Sequence, residues 1–162
     1  MNKPSIFFTM GVSGCGKSTI GKLLAKELAI PFFDGDDYHP KSNIEKMEKG
    51  IALEDSDRQG WLETLNKLAL EHKAKGAVIA CSALKEKYRT ILEQNIKAQT
   101  GFIYLKGSFE EVLERLEQRT GHFMPKQLLQ SQFDTLEEPT NAIIAPIKLS
   151  PSEIIKEISK QL

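Results

Sequence analysis

The chain lacks a charge excess of either sign: 22 Lys and Arg stand against 22 Asp and Glu in 162 residues. A dedicated nucleic-acid binder would carry a basic surplus, so no nucleic-acid partner is expected. That balance leaves room for a local basic pocket around a small anion. Cysteine is scarce, with only Cys15 and Cys81 and no CxxC pair. This argues against a disulfide framework or a cysteine-rich zinc site, and a reducing cytoplasm is the expected compartment. Long apolar runs are missing too. Stretches such as residues 77–81 fall well below the roughly 20 residues of a membrane span, so no membrane partner is expected. The N-terminal segment has no signal-peptide pattern, and no lipidation signal or internal repeat is evident. What remains, 40% hydrophobic and 27% charged residues, is ordinary for a folded chain. The length predicts one domain over 1–162, able to bury roughly two thirds of its unfolded surface without staples.

Short apolar runs and helical periodicities alternate along the chain. Residues 5–10 read as a buried strand that stops at a glycine cluster. Residues 17–29 carry Ile20, Leu23, Leu24 and Leu28 at helical spacing, and residues 30–33 form the next strand. A short helix over 41–49 ends at Gly50, and a longer one over 57–75 ends at Gly76. Residues 77–82, 102–105 and 142–147 are further strands, the last suited to a sheet edge because it contains Pro146. Helices are expected over 85–94, 108–119 and 125–136. Ser108 with Glu111 is a capping box, and Ser150-Pro151-Ser152-Glu153 starts the final helix. Strand and helix in alternation predict a three-layer α/β fold with a parallel sheet of five strands.

One motif carries chemistry by itself. Gly11-Val12-Ser13-Gly14-Cys15-Gly16-Lys17-Ser18 fits GxxxxGK[ST] between a predicted strand and a predicted helix. Glycines let successive backbone N–H groups face phosphate oxygens, and the following helix adds its positive end. Lys17 is expected to reach the β and γ phosphates, the Ser18 hydroxyl to ligate Mg²⁺, and Thr19 to complete the nucleotide contacts. The chain is therefore expected to bind ATP. No Asn-Lys-x-Asp stretch selects guanine, and no strand ends in Asp-Glu as in motor ATPases. A small-molecule kinase fits better, with its acids at the end of the second strand. There, Asp36 is assigned to the acceptor hydroxyl, Asp34 to the Mg²⁺ shell, and Asp37 to solvent. Cys15, beside Lys17 and a helix N-terminus, is weighed first as filling an unconstrained position of the motif; a lowered thiol pKa with protection by ATP is the second reading.

From Gly11 to Asp36, with Leu23-Leu24-Ala25 and Phe32-Phe33-Asp34-Gly35-Asp36, the chain resembles the shikimate and gluconate kinases, a group of P-loop kinases. Later segments resemble the gluconokinase family in particular. They are His39-Pro40-x-x-Asn43-Ile44-x-Lys46-Met47-x-x-Gly50, Leu53-x-Asp55-x-Asp57-Arg58-x-x-Trp61-Leu62 and Cys81-Ser82-Ala83-Leu84-Lys85-x-x-Tyr88-Arg89. Tyr104-Leu105-Lys106-Gly107, Gly121-His122-Phe123 and Leu128-Leu129-x-Ser131-Gln132-Phe133-x-x-Leu136-Glu137-x-Pro139 complete the set. The resemblance covers nearly the whole chain. It implies Mg²⁺- and ATP-dependent phosphorylation of D-gluconate at its 6-hydroxyl, and it allows a homodimer.

A carboxylate with several hydroxyls calls for a guanidinium or ammonium fork. Arg58, placed where shikimate kinases put a carboxylate-binding arginine, is one candidate. Lys85 and Arg89 are the others, read as i and i+4 on one helix projecting the same way. His39 can touch substrate but, preceding a proline, is weighed as structural first. Trp61 lies on an apolar stripe and is read as core first, with a sugar-stacking platform as the second reading that the family pattern leaves open. Residues 37–75 are the expected substrate-binding helical segment and 115–140 the expected lid. In that lid Arg119, then Arg115, would meet the phosphates about a hinge at Gly121. The adenine contacts are expected near residues 147–150. The rival readings are a kinase for another hydroxy-acid such as shikimate, and a non-catalytic nucleotide-binding module.

Overall fold

The computed structural model describes residues 3–119 and 125–162. Five parallel strands form one sheet in the order β2-β3-β1-β4-β5. β1 (Ile6–Met10) lies at its centre and is buried at every residue. Flanked on one side by β3 (Ala77–Ala80) and on the other by β4 (Thr100–Lys106), it is covered on both faces. Such strands read as unbroken apolar runs rather than alternating ones. Phe8 stands opposite Ile79 and Phe102 and stacks on the Phe102 ring at 5.3 Å. β2 (Phe32–Asp34) and β5 (Ile143–Pro146) are the edges, and Pro146 sits where no ladder donor is required.

Seven helices accompany the sheet among the described residues: α1 (Lys17–Leu28), α2 (Lys41–Glu48), α3 (Asp55–Glu71), α4 (Glu86–Leu92), α5 (Phe109–Glu117), α6 (Lys126–Thr135) and α7 (Pro151–Lys160). α1 packs on α7, α3 on α4, and α5 on α6. A single buried cluster joins strand residues such as Ile79 and Ile103 to Leu24, Leu65, Val112 and Ile158 from the helices. No helix among these residues is long and apolar enough to cross a membrane.

Element boundaries move where backbone groups are needed elsewhere. Ile30 does not open β2, because its N–H caps α1 at the Ala25 carbonyl. α3 starts two residues before the expected Asp57. Glu54 is its cap, and the Asp57 carboxylate accepts from the Glu54 N–H at 2.8 Å. The same helix stops at Glu71 rather than residue 75, since the chain must turn back into the sheet. Gly76 makes that turn with φ +97°, and Ala77 N–H meets the Ser5 carbonyl. The capping boxes at Ser108 and Ser150 form as the sequence predicts. A one-turn 3₁₀ helix over Gly35–Tyr38 is an addition, and it shapes the site.

Candidate active site

β1 leads directly into the phosphate loop, and Thr9 Oγ1 pins the start of α1 by donating to the Lys17 carbonyl at 3.0 Å. Gly11 (φ +143°) and Gly16 (φ +100°) hold conformations that a side chain would strain. A Cβ on Gly11 would also lie 2.7 Å from Cys15 Sγ and 3.0 Å from the Leu105 carbonyl. The Lys17 ammonium donates to the Gly11 and Val12 carbonyls, each at 3.1 Å. It thus lies along the loop's own backbone. Val12 and Cys15 are buried, Ser13, Gly14 and Ser18 half-buried, and Thr19 exposed on the first turn of α1. Of the two readings of Cys15, the structure favours the first. Burial pushes its thiol pKa up, outweighing the opposing Lys17 charge, so it is an inert packing group rather than an activated thiol.

Asp34, the last residue of β2, does two things at once. Its Oδ2 accepts from Ser18 Oγ at 3.0 Å, and its Oδ1 caps the 3₁₀ turn by accepting from the Asp36 N–H at 3.0 Å. The two groups assigned to Mg²⁺ therefore meet across the β1–α1 and β2 ends. Gly35 is buried between the acids, and its carbonyl accepts from Trp61 Nε1 at 2.8 Å. Asp36 projects outward with its side chain 78% exposed. Its pKa is raised, first by desolvation at the site mouth and then by Asp34 and Asp37, against the pull of Lys17. Water at so open a position screens much of this effect.

Lys17 and Asp36 share one cavity with His39, Arg58, Trp61 and Gln132. Arg58 is aimed by its neighbours. It donates to the Leu53 carbonyl at 2.8 Å and to Tyr88 Oη at 2.9 Å, with its guanidinium over the Tyr88 ring. Tyr88 Oη in turn donates to Asp55, as do Lys85 and Lys87. Those donors, Lys87 and Tyr88 foremost, hold the Asp55 carboxyl well below the usual range. His39 lies flat on Trp61, with ring centroids 4.0 Å apart and 18° between planes. Asn43 Nδ2 faces His39 Nδ1 at 3.2 Å and also donates to the Asp57 carbonyl at 2.8 Å. An amide N–H on Nδ1 assigns the histidine proton to Nε2, which sits 3.8 Å from the Asp36 carboxylate.

A family model described as shikimate kinase matches residues 13–162. A probable gluconokinase of Mus musculus is 43% identical over 183 residues, covering all of both chains. The thermosensitive gluconokinase of Escherichia coli K12 is 48% identical over 135 residues, which are 82% of this chain and 72% of that one. The crystal structure of a gluconokinase from Sinorhizobium meliloti 1021 superposes with a TM-score of 0.87 at 39% identity, over 95% of this chain and 89% of that one. The chain belongs to the gluconokinase family. Its sheet and helices are those of the P-loop kinases, with ATP as the nucleotide.

Within this gluconokinase-family site, two expectations about cations need correction. Lys85 is the N-cap of α4 rather than a helix residue, so it shares no face with Arg89. Its ammonium goes to Asp55 at 3.2 Å. Arg89 is buried and turned away from the cavity, donating to the Ala83 carbonyl at 2.6 Å and the Glu137 carbonyl at 2.9 Å. It ties β3's exit to the segment after α6. We expect Arg89→Met to cost about 3 kcal/mol in urea unfolding, from two stranded carbonyls, while leaving the KM for the acceptor unchanged.

In the segment expected to form a lid, Arg115 donates to the Ile147 carbonyl. Its guanidinium lies 3.6 Å from where a Cβ on Gly16 would be. Among the described residues it pairs with neither Glu111 nor Glu114. Arg119 is exposed two residues beyond α5, whereas Gly121, His122 and Phe123 lie outside the described residues. The contacts made by Asp55, Tyr88 and Gln132 went unassigned from sequence, though all three fall inside family blocks.

His39 also provides a pH test. Burial, then the Arg58 charge, lower its pKa to about 4 from 6.5, so it is neutral at pH 7. The unfolded chain binds the extra proton first. Stability from this group is complete above pH 6.5 and is lost as pH falls toward 4. Unfolding free energy is expected to drop by about 2 kcal/mol between pH 7 and pH 5 from His39 alone. Urea titrations of wild type and His39→Gln at both values check this, the variant losing less.

Proposed function

We propose that this gluconokinase-family enzyme transfers the γ-phosphoryl group of ATP to the 6-hydroxyl of D-gluconate. The observation that carries the reading is that a phosphate-loop lysine, an open carboxylate and an oriented arginine line one cavity. Arg58 on the cavity lining suits the gluconate carboxylate, because a guanidinium held by Leu53 and Tyr88 keeps donors free in a fixed plane. Asp36, on the same cavity, accepts the proton of the attacking hydroxyl. His39 keeps Asp36 company with an Nε2–H and remains neutral, so it orients rather than ionises. Lys17 leaves the Gly11 and Val12 carbonyls to follow charge onto the transferred group.

Mg²⁺ fits the paired Ser18 hydroxyl and Asp34 carboxylate. Among the described residues no cluster of three or more His, Cys, Asp or Glu is placed to hold a metal. A protein hydroxyl and one carboxylate, completed by phosphate oxygens and water, is what Mg²⁺ accepts in such sites. When bound, the ion neutralises charge on the phosphates. Residues 37–75 are the acceptor-binding segment in this reading, and 115–140 the lid. Arg115, already beside Gly16, takes precedence over Arg119 as the phosphate-facing lid cation. The buried free thiols of Cys15 and Cys81 suit a reducing cytoplasm.

A coupled ADP-release assay over gluconate, shikimate, glucose and no acceptor tests the reading, with product position assigned by ³¹P NMR. Turnover confined to gluconate is expected. Turnover with shikimate instead, or with none of the acceptors, overturns it.

A further inference from the structure

Within the expected lid, no residue of the block around Leu128 to Phe133 has yet been given a role of its own. Two of its residues anchor α6: Leu129 is fully buried, and Phe133 meets Phe109 edge-on at 5.7 Å. Gln132 does something else. Its carboxamide reaches the phosphate loop, 119 residues away in sequence, and engages Ser13 twice. Oε1 accepts from the Ser13 N–H at 2.7 Å, and Nε2 donates to Ser13 Oγ at 3.0 Å. The same side chain lines the cavity that holds Lys17, Asp36 and Arg58.

The Ser13 N–H differs from its neighbours in what it serves. Gly11 N–H is committed to the Ser82 carbonyl, and Cys15 N–H to the Val12 carbonyl, both backbone groups. Ser13 N–H is held by a side chain, which can leave. An amide oxygen there is a neutral counterpart of a phosphate oxygen, and an N–H bonds an anion about twice as strongly. A γ-phosphate entering the loop competes for this donor with the advantage. Once displaced, the carboxamide is still rooted on α6 at the cavity wall. It offers two donors and an acceptor, a set that suits a chain of hydroxyls.

We infer that Gln132 couples the two substrates: it holds Ser13 until the terminal phosphate of the nucleotide takes that N–H, then turns to the acceptor's hydroxyls, so that bound nucleotide tightens acceptor binding. The second half rests on the acceptor reading of the cavity; the first does not.

Calorimetric titrations of wild type, Gln132→Leu and Gln132→Glu with a non-hydrolysable ATP analogue, with ADP and with gluconate test this, after thermal melts establish folding. Gln132→Leu is expected to bind the analogue about threefold more tightly, having no contact to displace, with ADP affinity unchanged. Gln132→Glu is expected to bind the analogue about tenfold more weakly, again sparing ADP, because a carboxylate then faces the γ-phosphate. In wild type the analogue should tighten gluconate about tenfold relative to ADP, and Gln132→Leu should lose that gain. Equal weakening of analogue and ADP by both substitutions would show a purely structural contact and overturn the proposal. So would undiminished coupling in Gln132→Leu. If wild type neither binds nor phosphorylates gluconate, the acceptor reading fails, and the analogue-against-ADP comparison decides the displacement by itself.

Discussion

Asp36→Asn is expected to lower kcat with gluconate by about 10³-fold while ATP affinity stays within about twofold. Asparagine keeps the size of the side chain and the backbone N–H that Asp34 accepts, so the 3₁₀ turn survives. It cannot take a proton. The wild-type pH profile provides a second readout. A base works deprotonated, and desolvation with the nearby Asp34 and Asp37 raises the Asp36 pKa, so the acidic limb of kcat/KM should lie above an ordinary aspartate's. That limb should vanish in the variant. Stopped-flow measurement of a single turnover separates the chemical step from product release. A variant with full chemical rate would move the proton acceptor off Asp36.

Gly35→Ala should be the most damaging single methyl in the site. A Cβ there would lie 2.3 Å from the Ala80 carbonyl and 3.2 Å from Leu65 Cδ1. The first of these atoms belongs to β3, inside the sheet, and cannot swing aside as a side chain can. Relief must come from the turn that sets Asp34 and Asp36, and the Trp61 indole bonded to Gly35 would move with it. We expect a loss of about 3 kcal/mol in unfolding free energy together with near-complete loss of turnover. Urea titration and a gluconate assay check both. A wild-type midpoint would mean that β2 gives way at its end far more readily than its packing implies.

Why the placement of these acids is readable from sequence, while that of Arg89 is not, comes down to range. Lys17, Ser18, Asp34 and Asp36 sit within 20 residues on one strand–loop–helix–strand unit, whose geometry is local. The carbonyls that capture Arg89 belong to Ala83 and to Glu137, and the second is 48 positions away. Gln132 was hidden for the same reason, since nothing near it in the chain resembles Ser13. Cys15 leaves two readings open for a different reason. Its charged neighbours are visible in sequence, but complete burial under the loop is not, and burial dominates its thiol. The start of α3 was missed because glutamate is a rarer cap than serine or aspartate. Fold class needed only periodicity and was legible throughout; the strand order needed the structure.

That order has a geometric consequence. β1 and β2 are successive in the chain but not adjacent, because β3 is inserted between them. The loop that follows β1 and the acids that follow β2 are thereby held two strand spacings apart, about 9.6 Å. The slot between them is one strand wide, and its floor is the exit of β3, where Ser82 lines the cavity and receives the Gly11 N–H. The strand behaves as a spacer gauge. In the proposed reaction it reserves the gap in which a phosphoryl group passes from one oxygen to another, and the run Ala80-Cys81-Ser82-Ala83 keeps that gap open by being small.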